Sequence, residues 1–439
     1  MLDAQGAVLY VGKARALKNR VAIAPMCQYS AIDGVPQPWH VQHLGRLAIS
    51  GAGLVIVEAT GVEAAGRITP DDTGLWNDAQ EAAFADIIQG LRTYSDTPIG
   101  VQLAHAGRKA STAAPWKGGQ ALTAEEGAWT TFGPSAIAFR EGWHTPVEMT
   151  EADMDRVVTA FADAARRADR AGFDLVEVHA AHGYLLCEFL SPLSNQRTDQ
   201  YGGSAENRAR FPLRVAKAVR DAWPRTKALG VRFNGSDWVE GGVALEEVVA
   251  FGAAMHDLGY DYLHLTSGGN VARADIPGAE PGYQLRFAEA VKVAVPQAVV
   301  MAVGMIFDPH QAEQIVASGQ ADLIAIARAA LDDPNWAHHA AVALGQAENL
   351  PVQYERAGKT TWPGYGRTVW PLRRPRLPPR GSWPRAGSGR PPPAWGGPAD
   401  SPAPRCTPGR AGRTAAPASR RPQPTRGCAG SRPGPERRE

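Results

Sequence analysis

The sequence predicts a parallel α/β architecture, a (β/α)8 barrel, and three observations support this prediction. Short apolar runs rich in β-branched residues alternate with longer amphipathic stretches over roughly 330 residues. Eight such runs are present, which is the strand number of a (β/α)8 barrel. A doubly wound sheet, the main alternative, would carry a glycine-rich phosphate turn after an early strand. The stretch "APMCQYS" that follows the first run is not such a turn.

The predicted strands are short, apolar and bounded by turn residues or helical stretches. They are Val21–Ala24, Leu54–Glu58, Ile99–Leu103, Leu175–His179, Ala228–Phe233, Tyr262–Thr266, Val299–Val303 and Leu323–Ala327. The predicted helices are longer and repeat apolar residues every three or four positions. They include Asp78–Tyr94, Glu151–Ala171, Ala205–Trp223, Leu245–Leu258, Phe287–Ala294, Pro309–Ser318 and Asn335–Leu344.

The two ends of the chain do not follow this alternation of strands and helices. From Pro371 onward there are 15 arginines, no lysine and three acidic residues, so this tail is near +12 and the rest of the chain near −10. The tail is rich in Pro, Arg and Gly and cannot bury enough apolar surface to offset its chain entropy. We therefore predict an atypical N-terminal segment (residues 1–20), a barrel (residues 21–357), and a linker with a disordered basic tail (residues 358–439).

Composition also narrows the class of protein. No stretch approaches the ~20 consecutive apolar residues of a membrane helix, and the N-terminus lacks the apolar core of a signal peptide. The four cysteines, Cys27, Cys187, Cys406 and Cys428, are too scattered for a disulfide framework and suit a reducing cytoplasm. A basic tail can attract nucleic acid, but a nucleic-acid partner is not what we predict.

Polar side chains cluster where the predicted strands end, which is where (β/α)8 barrels carry their active sites. These positions are Cys27, Tyr29, Glu58, Thr60, Gln102, His105, His179, His182, Tyr184, Arg232, Ser267, Gly268, Gly269, Gly304, Met305 and Arg328. Each one alone has an ordinary structural explanation. Together and in this order they indicate the lining of a site.

Three of these features point to particular chemistry. His179 and His182, three residues apart, could be structural or could ligate a metal, but a third ligand is missing and we predict no metal. Arg232 ends an apolar strand, and a buried guanidinium needs an anionic or electron-rich partner. Gly304 and the Ser-Gly-Gly turn at residues 267–269 expose backbone N–H groups that can hold a phosphate.

Several longer stretches resemble a known family. These are "LKNRVAIAPMCQYSA", "GAGLVIVEATGV", "VQLAHAGRKAS", "VEVHAAHGYLLCEFLSPLSNQRTDQYGGSAENRARF", "ADLIAIARAALDDPNW" and "PVQYER". Over residues 17–356 the chain resembles the Old Yellow Enzyme family of FMN-dependent ene-reductases, in particular its bacterial, thermophilic-like branch. Residues 1–21 instead resemble a fragment of the GIY-YIG domain of excision-repair nucleases, but half of that motif is missing and no nuclease activity is predicted.

The resemblance implies tightly but non-covalently bound FMN, with NADPH or NADH as reductant. It implies a flavin ring held by Ala24, Pro25, Met26, Cys27, Ala59 and Gln102, with Arg232 facing the N1/C2 edge. It places the phosphate near Gly268, Gly304, Ala327 and Arg328. Family members usually have glycine at the position of Ala327, so the extra methyl group is expected to weaken FMN binding slightly.

The resemblance also implies a reaction, the reduction of the C=C bond of an α,β-unsaturated carbonyl compound. His179 and His182 would hydrogen-bond the carbonyl oxygen, flavin N5 would deliver hydride to Cβ, and Tyr184 would protonate Cα. Tyr29 would line the substrate pocket. Arg356, in "QYER", would enter the pocket of a neighbouring subunit, which implies a homodimer or a tetramer built from dimers.

Two rival functions are less consistent with these residues. A larger dienoyl reductase would need an iron–sulfur cysteine cluster and a second flavin domain. A flavin-storing or nucleic-acid-binding protein would not need the complete set of His179, His182 and Tyr184.

Overall fold

Eight parallel strands close into a barrel in which each strand pairs with its neighbours in chain order and the eighth pairs with the first. They are β1 (Val21–Ile23), β2 (Leu54–Gly61), β3 (Ile99–Ala104), β4 (Leu175–Ala180), β5 (Ala228–Asn234), β6 (Tyr262–Thr266), β7 (Val299–Val303) and β8 (Leu323–Ile326). The predicted (β/α)8, or TIM, barrel is confirmed, and every predicted strand is present with small differences at its ends.

The structure is a computed structural model that describes residues 10–11, 15–278, 280–347 and 350–365. Contacts divide the chain into two units, Met1–Leu377 and Pro378–Glu439, and all described residues belong to the first. The tail predicted from Pro371 onward lies outside the described residues, and its disorder stays a prediction. Before the barrel, Tyr10–Val11 pairs antiparallel with Arg15–Ala16.

The α-helices of the described residues lie between or after the strands. They are α1 (Pro38–Ala48), α2 (Asp78–Arg92), α3 (Glu151–Arg170), α4 (Leu185–Leu190), α5 (Ala205–Ala222), α6 (Leu245–Asp257), α7 (Leu285–Ala294), α8 (Pro309–Ala317), α9 (Arg328–Asp332) and α10 (Trp336–Ala343). The sequence pattern did not predict α1, α4 and α9. The last two are too short to show a helical period, and α1 contains two histidines and a glycine that interrupt its apolar face.

Local sequence signals set where the long helices begin. The Asn77 side chain accepts a hydrogen bond from the Gln80 amide, and the Gln80 side chain accepts one from the Asn77 amide at the start of α2. Thr150 and Asp153 make the same reciprocal pair at the start of α3. These caps satisfy amide groups that no helical turn can reach.

The barrel separates two apolar layers. Outside, the helices bury large side chains against the strands, among them Phe84, Phe161, Phe211 and Phe251. Inside, one end is filled by Leu54, Leu175, Met301 and Leu323. Because inward side chains alternate along each strand, the polar residues that come later in each strand lie above this apolar floor. Among the described helices, none is long and apolar enough to cross a membrane.

Candidate active site

Strand register brings three distant polar residues into one row. His179 on β4 is paired with Arg232 on β5, and Arg232 is paired with His264 on β6. All three side chains are buried. The row crosses the barrel interior above the apolar floor, so the ends of β4 to β6 form one wall of the site.

A hydrogen-bond chain assigns the protons of the two predicted histidines. His179 Nδ1 accepts the Ala181 amide at 3.2 Å, so its proton lies on Nε2, which faces His182 Nδ1 at 3.4 Å. The proton of His182 then lies on Nε2, 3.0 Å from Thr266 Oγ1. The His182 amide also donates to Asn234 Oδ1 at 3.1 Å. Each ring therefore carries one N–H group, which points at His182 in the case of His179 and at Thr266 in the case of His182.

The histidines are held neutral. Burial, followed by the nearby Arg232 cation, keeps the pKa of His179 and the pKa of His182 well below the usual value. The bond between their ring nitrogens is at the long end of the hydrogen-bond range. A ligand oxygen can replace this hydrogen bond at a small cost in free energy. Both imidazoles are already neutral before the ligand binds.

The loop geometry after β4 depends on glycine. His182 and Gly183 both adopt left-handed backbone angles, with φ of 59° and 70°. A Cβ atom at Gly183 would lie 2.3 Å from the carbonyl oxygen of Gly269, so only glycine fits there. This tight turn places Tyr184 at the N-cap of α4, with its ring 5.0 Å from that of His179.

Tyr184 keeps its proton. Burial raises its pKa well above the usual value, and the nearby Asp72 carboxyl acts in the same direction. The Lys109 ammonium lies 5.0 Å from the centre of the Tyr184 ring and donates to the carbonyl oxygens of His182 and Gly269 at 2.8 and 2.9 Å. The sequence pattern did not single out Lys109, which ties the loop after β4 to the loop after β6.

The segment after β1 forms the side of the site opposite the wall made by β4 to β6. Tyr29 has a left-handed backbone, φ 46°, and its hydroxyl and the Cys27 thiol share a hydrogen bond. Burial, with Asp72 and Glu58, raises the pKa of Cys27 well above the usual value, so the sulfur remains a neutral thiol. The Tyr29 ring packs edge-to-face on the exposed Trp116 at 5.6 Å.

Arg232 is a buried cation with an unused donor. Only 8% of the residue is exposed, and its Nε has no hydrogen-bond partner within the described part of the chain. Its strongest charge interaction is with Glu177. A guanidinium in this state fits an electron-rich ligand above it.

Comparison with known proteins agrees with this geometry. A family model described as "NADH:flavin oxidoreductase / NADH oxidase family" matches residues 9–346. The NADPH dehydrogenase of Geobacillus thermodenitrificans is 43% identical over 352 residues, 79% of this chain and 96% of that protein. The chain belongs to this family, the Old Yellow Enzymes.

Further relatives of this Old Yellow Enzyme extend the comparison. The NADPH dehydrogenase of Bacillus subtilis is 44% identical over 77% of this chain and 95% of its own length. A solved morphinone reductase mutant in complex with tetrahydroNAD has a TM-score of 0.62 and 29% identity, covering 79% of this chain and 92% of that one. The match starts at residue 9, and the comparisons give no support for the GIY-YIG resemblance of residues 1–21.

This member of the Old Yellow Enzymes is a flavin oxidoreductase with FMN as cofactor and NAD(P)H as reductant. The residues present fit FMN. The unpaired Nε of Arg232 suits the electron-rich edge of the ring. Gly304 has φ 124°, and a Cβ there would lie 2.4 Å from Gln284 Nε2, so only glycine fits at this turn after β7. Arg328, exposed at the start of α9, adds a cation beside this loop.

A polar network in the barrel of this Old Yellow Enzyme was missed by sequence reasoning. Glu177 accepts hydrogen bonds from Gln102 Nε2 at 2.7 Å and from the Tyr262 hydroxyl at 3.2 Å, and it contacts His264 Nδ1 at 2.9 Å. The alternation of "LVEVHA" was the available signal, because Glu177 lies two residues before His179 and shares its inward face.

Some residues singled out at the strand ends are used for structure. Glu58 sits at a β-bulge, where its carboxylate contacts His40 Nε2 at 3.1 Å and accepts the Gln28 amide at 2.6 Å. His105 is held by Glu63, with 3.0 Å between His105 Nε2 and Glu63 Oε1.

Arg356 lies exposed in the 3₁₀ turn Val352–Ala357. Among the described residues, no group of three His, Cys, Asp or Glu side chains could hold a metal.

Proposed function

We propose that the chain is an ene-reductase, which uses NAD(P)H to reduce a C=C bond conjugated to a carbonyl group. The observation that carries the proposal is the end of β4 with the loop after it, where two neutral imidazoles lie beside a protonated tyrosine. The substrates are small enones. Since both histidines are neutral donors and the tyrosine is a neutral acid, the loop can bind a carbonyl oxygen and then supply a proton.

His179 and His182 donate their N–H groups to the carbonyl oxygen of the substrate. Negative charge builds on that oxygen during the reaction, and preorganised donors in a buried site stabilise such charge most strongly. When bound, FMN supplies to Cβ the hydride that comes from NAD(P)H. Tyr184 donates its proton to Cα as general acid, and Tyr29 lines the substrate pocket.

The residues proposed to hold FMN lie on adjacent strand ends. The amide of Ala24 donates to the carbonyl of Ile326 at 2.9 Å, which brings Pro25, Met26 and Cys27 beside the end of β8. Ala59 and Gln102 are register partners on β2 and β3. We assign Ala24, Pro25, Met26, Cys27, Ala59, Gln102 and Arg232 to the flavin ring, and Gly304, Ala327 and Arg328 to the phosphate.

The direct test is turnover with cyclohexenone. Purified protein should be yellow, and NADPH or NADH oxidation under anaerobic conditions should require the enone and yield the saturated ketone. Maleimides and nitroalkenes extend the panel. A yellow protein that reduces its flavin but returns no electrons to any of these substrates would contradict the ene-reductase assignment and leave the family membership intact.

Tyr184→Phe should slow the reduction of cyclohexenone while sparing the reduction of FMN by NADPH. The substitution removes the proton donor but keeps the ring that packs on His179 and Lys109. Rapid-mixing kinetics of the two half-reactions measures both rates. Nitroalkenes, whose products solvent can protonate, should be less affected. Equal slowing of all substrates together with impaired flavin reduction would indicate a structural role for Tyr184.

We further propose a homodimer, or a tetramer of dimers, in which Arg356 lines the partner's substrate pocket. The support is that Arg356 lies beyond α10, exposed beside the exposed Tyr354, and is free to meet a second copy. Arg356→Ala should raise the KM for bulky enones several-fold without emptying the FMN site. Steady-state kinetics with light scattering checks this, and a fully active monomer would contradict it.

We place the enzyme in the cytoplasm, without a membrane or nucleic-acid partner. The described cysteines, Cys27 and Cys187, are both free thiols, which is typical of a reducing compartment.

A further inference from the structure

The barrel interior contains a titratable pair that the proposed reaction does not use. Glu177 and His264 are fully buried and in contact, with 2.9 Å between Glu177 Oε2 and His264 Nδ1. A carboxylate only accepts, so the proton of the imidazole lies on Nδ1 and Nε2 carries a lone pair. Nε2 has no hydrogen-bond partner among the described residues. A buried nitrogen without a hydrogen-bond partner destabilises the folded state, so we expect this nitrogen to have a function.

The surroundings of His264 define a local charge balance. Arg232 is its register neighbour on β5, and Glu177 and His179 face it from β4. Tyr262 lies on the same strand, and β7 offers only the apolar Met301 in register. Arg232 contributes a positive charge and Glu177 a negative one, while the histidines and the tyrosine are neutral. The cluster is therefore balanced when His264 is neutral.

The direction of each pKa shift agrees with this balance. Burial raises the pKa of Glu177, but the contact with His264, the Arg232 charge and the Gln102 hydrogen bond outweigh it and leave the pKa below the usual value, so Glu177 is ionised. Burial lowers the pKa of His264, with Glu177 opposing, so the ring is neutral near pH 7.

Reduction of bound FMN would add a negative charge beside Arg232 and Glu177, whose charges otherwise cancel. A hydride from NAD(P)H brings two electrons and one proton, so the flavin gains one negative charge at the edge that Arg232 is assigned to face. Arg232 would then be shared between that charge and Glu177, and one buried negative charge would be left without a partner. Uncompensated charge is strongly unfavourable in a dry interior. His264 is the group best placed to restore neutrality.

We propose that His264 binds a proton at Nε2 when the flavin is reduced and releases it on reoxidation. The step balances, because NAD(P)H supplies the hydride, NAD(P)⁺ leaves, and solvent supplies one proton to the imidazole. The inference depends on FMN binding and not on the identity of the enone substrate. His264 acts through Arg232 and Glu177 on the flavin potential and touches no substrate.

A proton count on the wild-type holoenzyme gives the first test. Anaerobic reduction with stoichiometric NADPH in weak buffer near pH 7, followed with a pH indicator, should take up about one proton per flavin. Hydride transfer alone takes up none. Absence of proton uptake would overturn the proposal without any variant.

The pH dependence of the flavin midpoint potential gives the second test. Two electrons with two protons give about 60 mV per pH unit, and two electrons with one proton about 30 mV. Wild type should show the steeper slope near neutral pH. His264→Gln should show the shallower one because it has no titratable nitrogen. Glu177→Gln should also be shallower, because the reduced cluster is then neutral without the extra proton.

Tyr262→Phe is the matched control. It removes a hydroxyl from the same Glu177 oxygen but leaves the charges and His264 in place, so the steep slope should persist. Retention of the steep slope in both His264→Gln and Glu177→Gln would overturn the proposal and assign the second proton to the flavin itself. If the potentials show the expected slopes with pH but the protein does not reduce enones, only the ene-reductase proposal is contradicted.

Discussion

Simultaneous replacement of His179 and His182 with alanine is expected to lower the turnover of cyclohexenone by at least about 100-fold, the scale on which loss of oxyanion donors acts. His179 is fixed at the end of β4 and His182 by the tight turn at Gly183, and water admitted in their place would be less well oriented. Reduction of FMN by NADPH should suffer much less, because no carbonyl oxygen is polarised in that step. Rapid-mixing kinetics separates the two half-reactions.

Thr266→Val provides the control for this experiment. It removes the hydroxyl at 3.0 Å from His182 Nε2 but leaves both imidazoles in the site. Its effect on enone turnover should be well below that of the double alanine variant. Unchanged turnover in the His179→Ala, His182→Ala protein would exclude these residues from carbonyl binding.

Replacement of Arg232 with methionine is expected to weaken FMN binding by about 10- to 100-fold, which corresponds to the ~1.5–3 kcal/mol of a hydrogen bond to a charged group. It also leaves Glu177 buried without its cationic neighbour, so the melting temperature should fall. Quenching of FMN fluorescence on titration of apoprotein measures the affinity, and calorimetry measures the melting temperature.

Arg232→Lys is the matched variant for this prediction. It keeps the charge but loses the planar pair of donors, so its FMN affinity should fall between those of the wild type and the methionine variant. If the methionine variant binds FMN as tightly as wild type and is reduced at the same rate, Arg232 does not contact the flavin.

Local sequence information was sufficient for the barrel because each strand and helix carries its own periodicity. Strands buried on both faces read as short apolar runs, and helices such as α3 show an apolar stripe between clear caps. Helix α1 escaped prediction because its apolar face is broken by polar residues, and only packing against β2 and α2 selects the helix there.

In the candidate site, too, some residues can be found from local sequence and others only from tertiary contacts. The loop from His179 to Tyr184 is contiguous, so its residues could be found together in the sequence. Glu58 could not be distinguished from a functional carboxylate, because its fate depends on a β-bulge that turns it toward His40. Burial state, tautomer and pKa direction likewise depend on neighbours far along the chain.

The sequence by itself determined the eight-strand rhythm, the polar strand ends and the motif that names the family, since each is encoded in residues close together in the chain. Only the tertiary structure decided that His179, Arg232 and His264 form one row, and that Glu177 lies beneath them with His264 unpaired at Nε2. The physical reason is that strand register and burial set these contacts. Both arise from the closure of the barrel, which joins residues more than 80 positions apart.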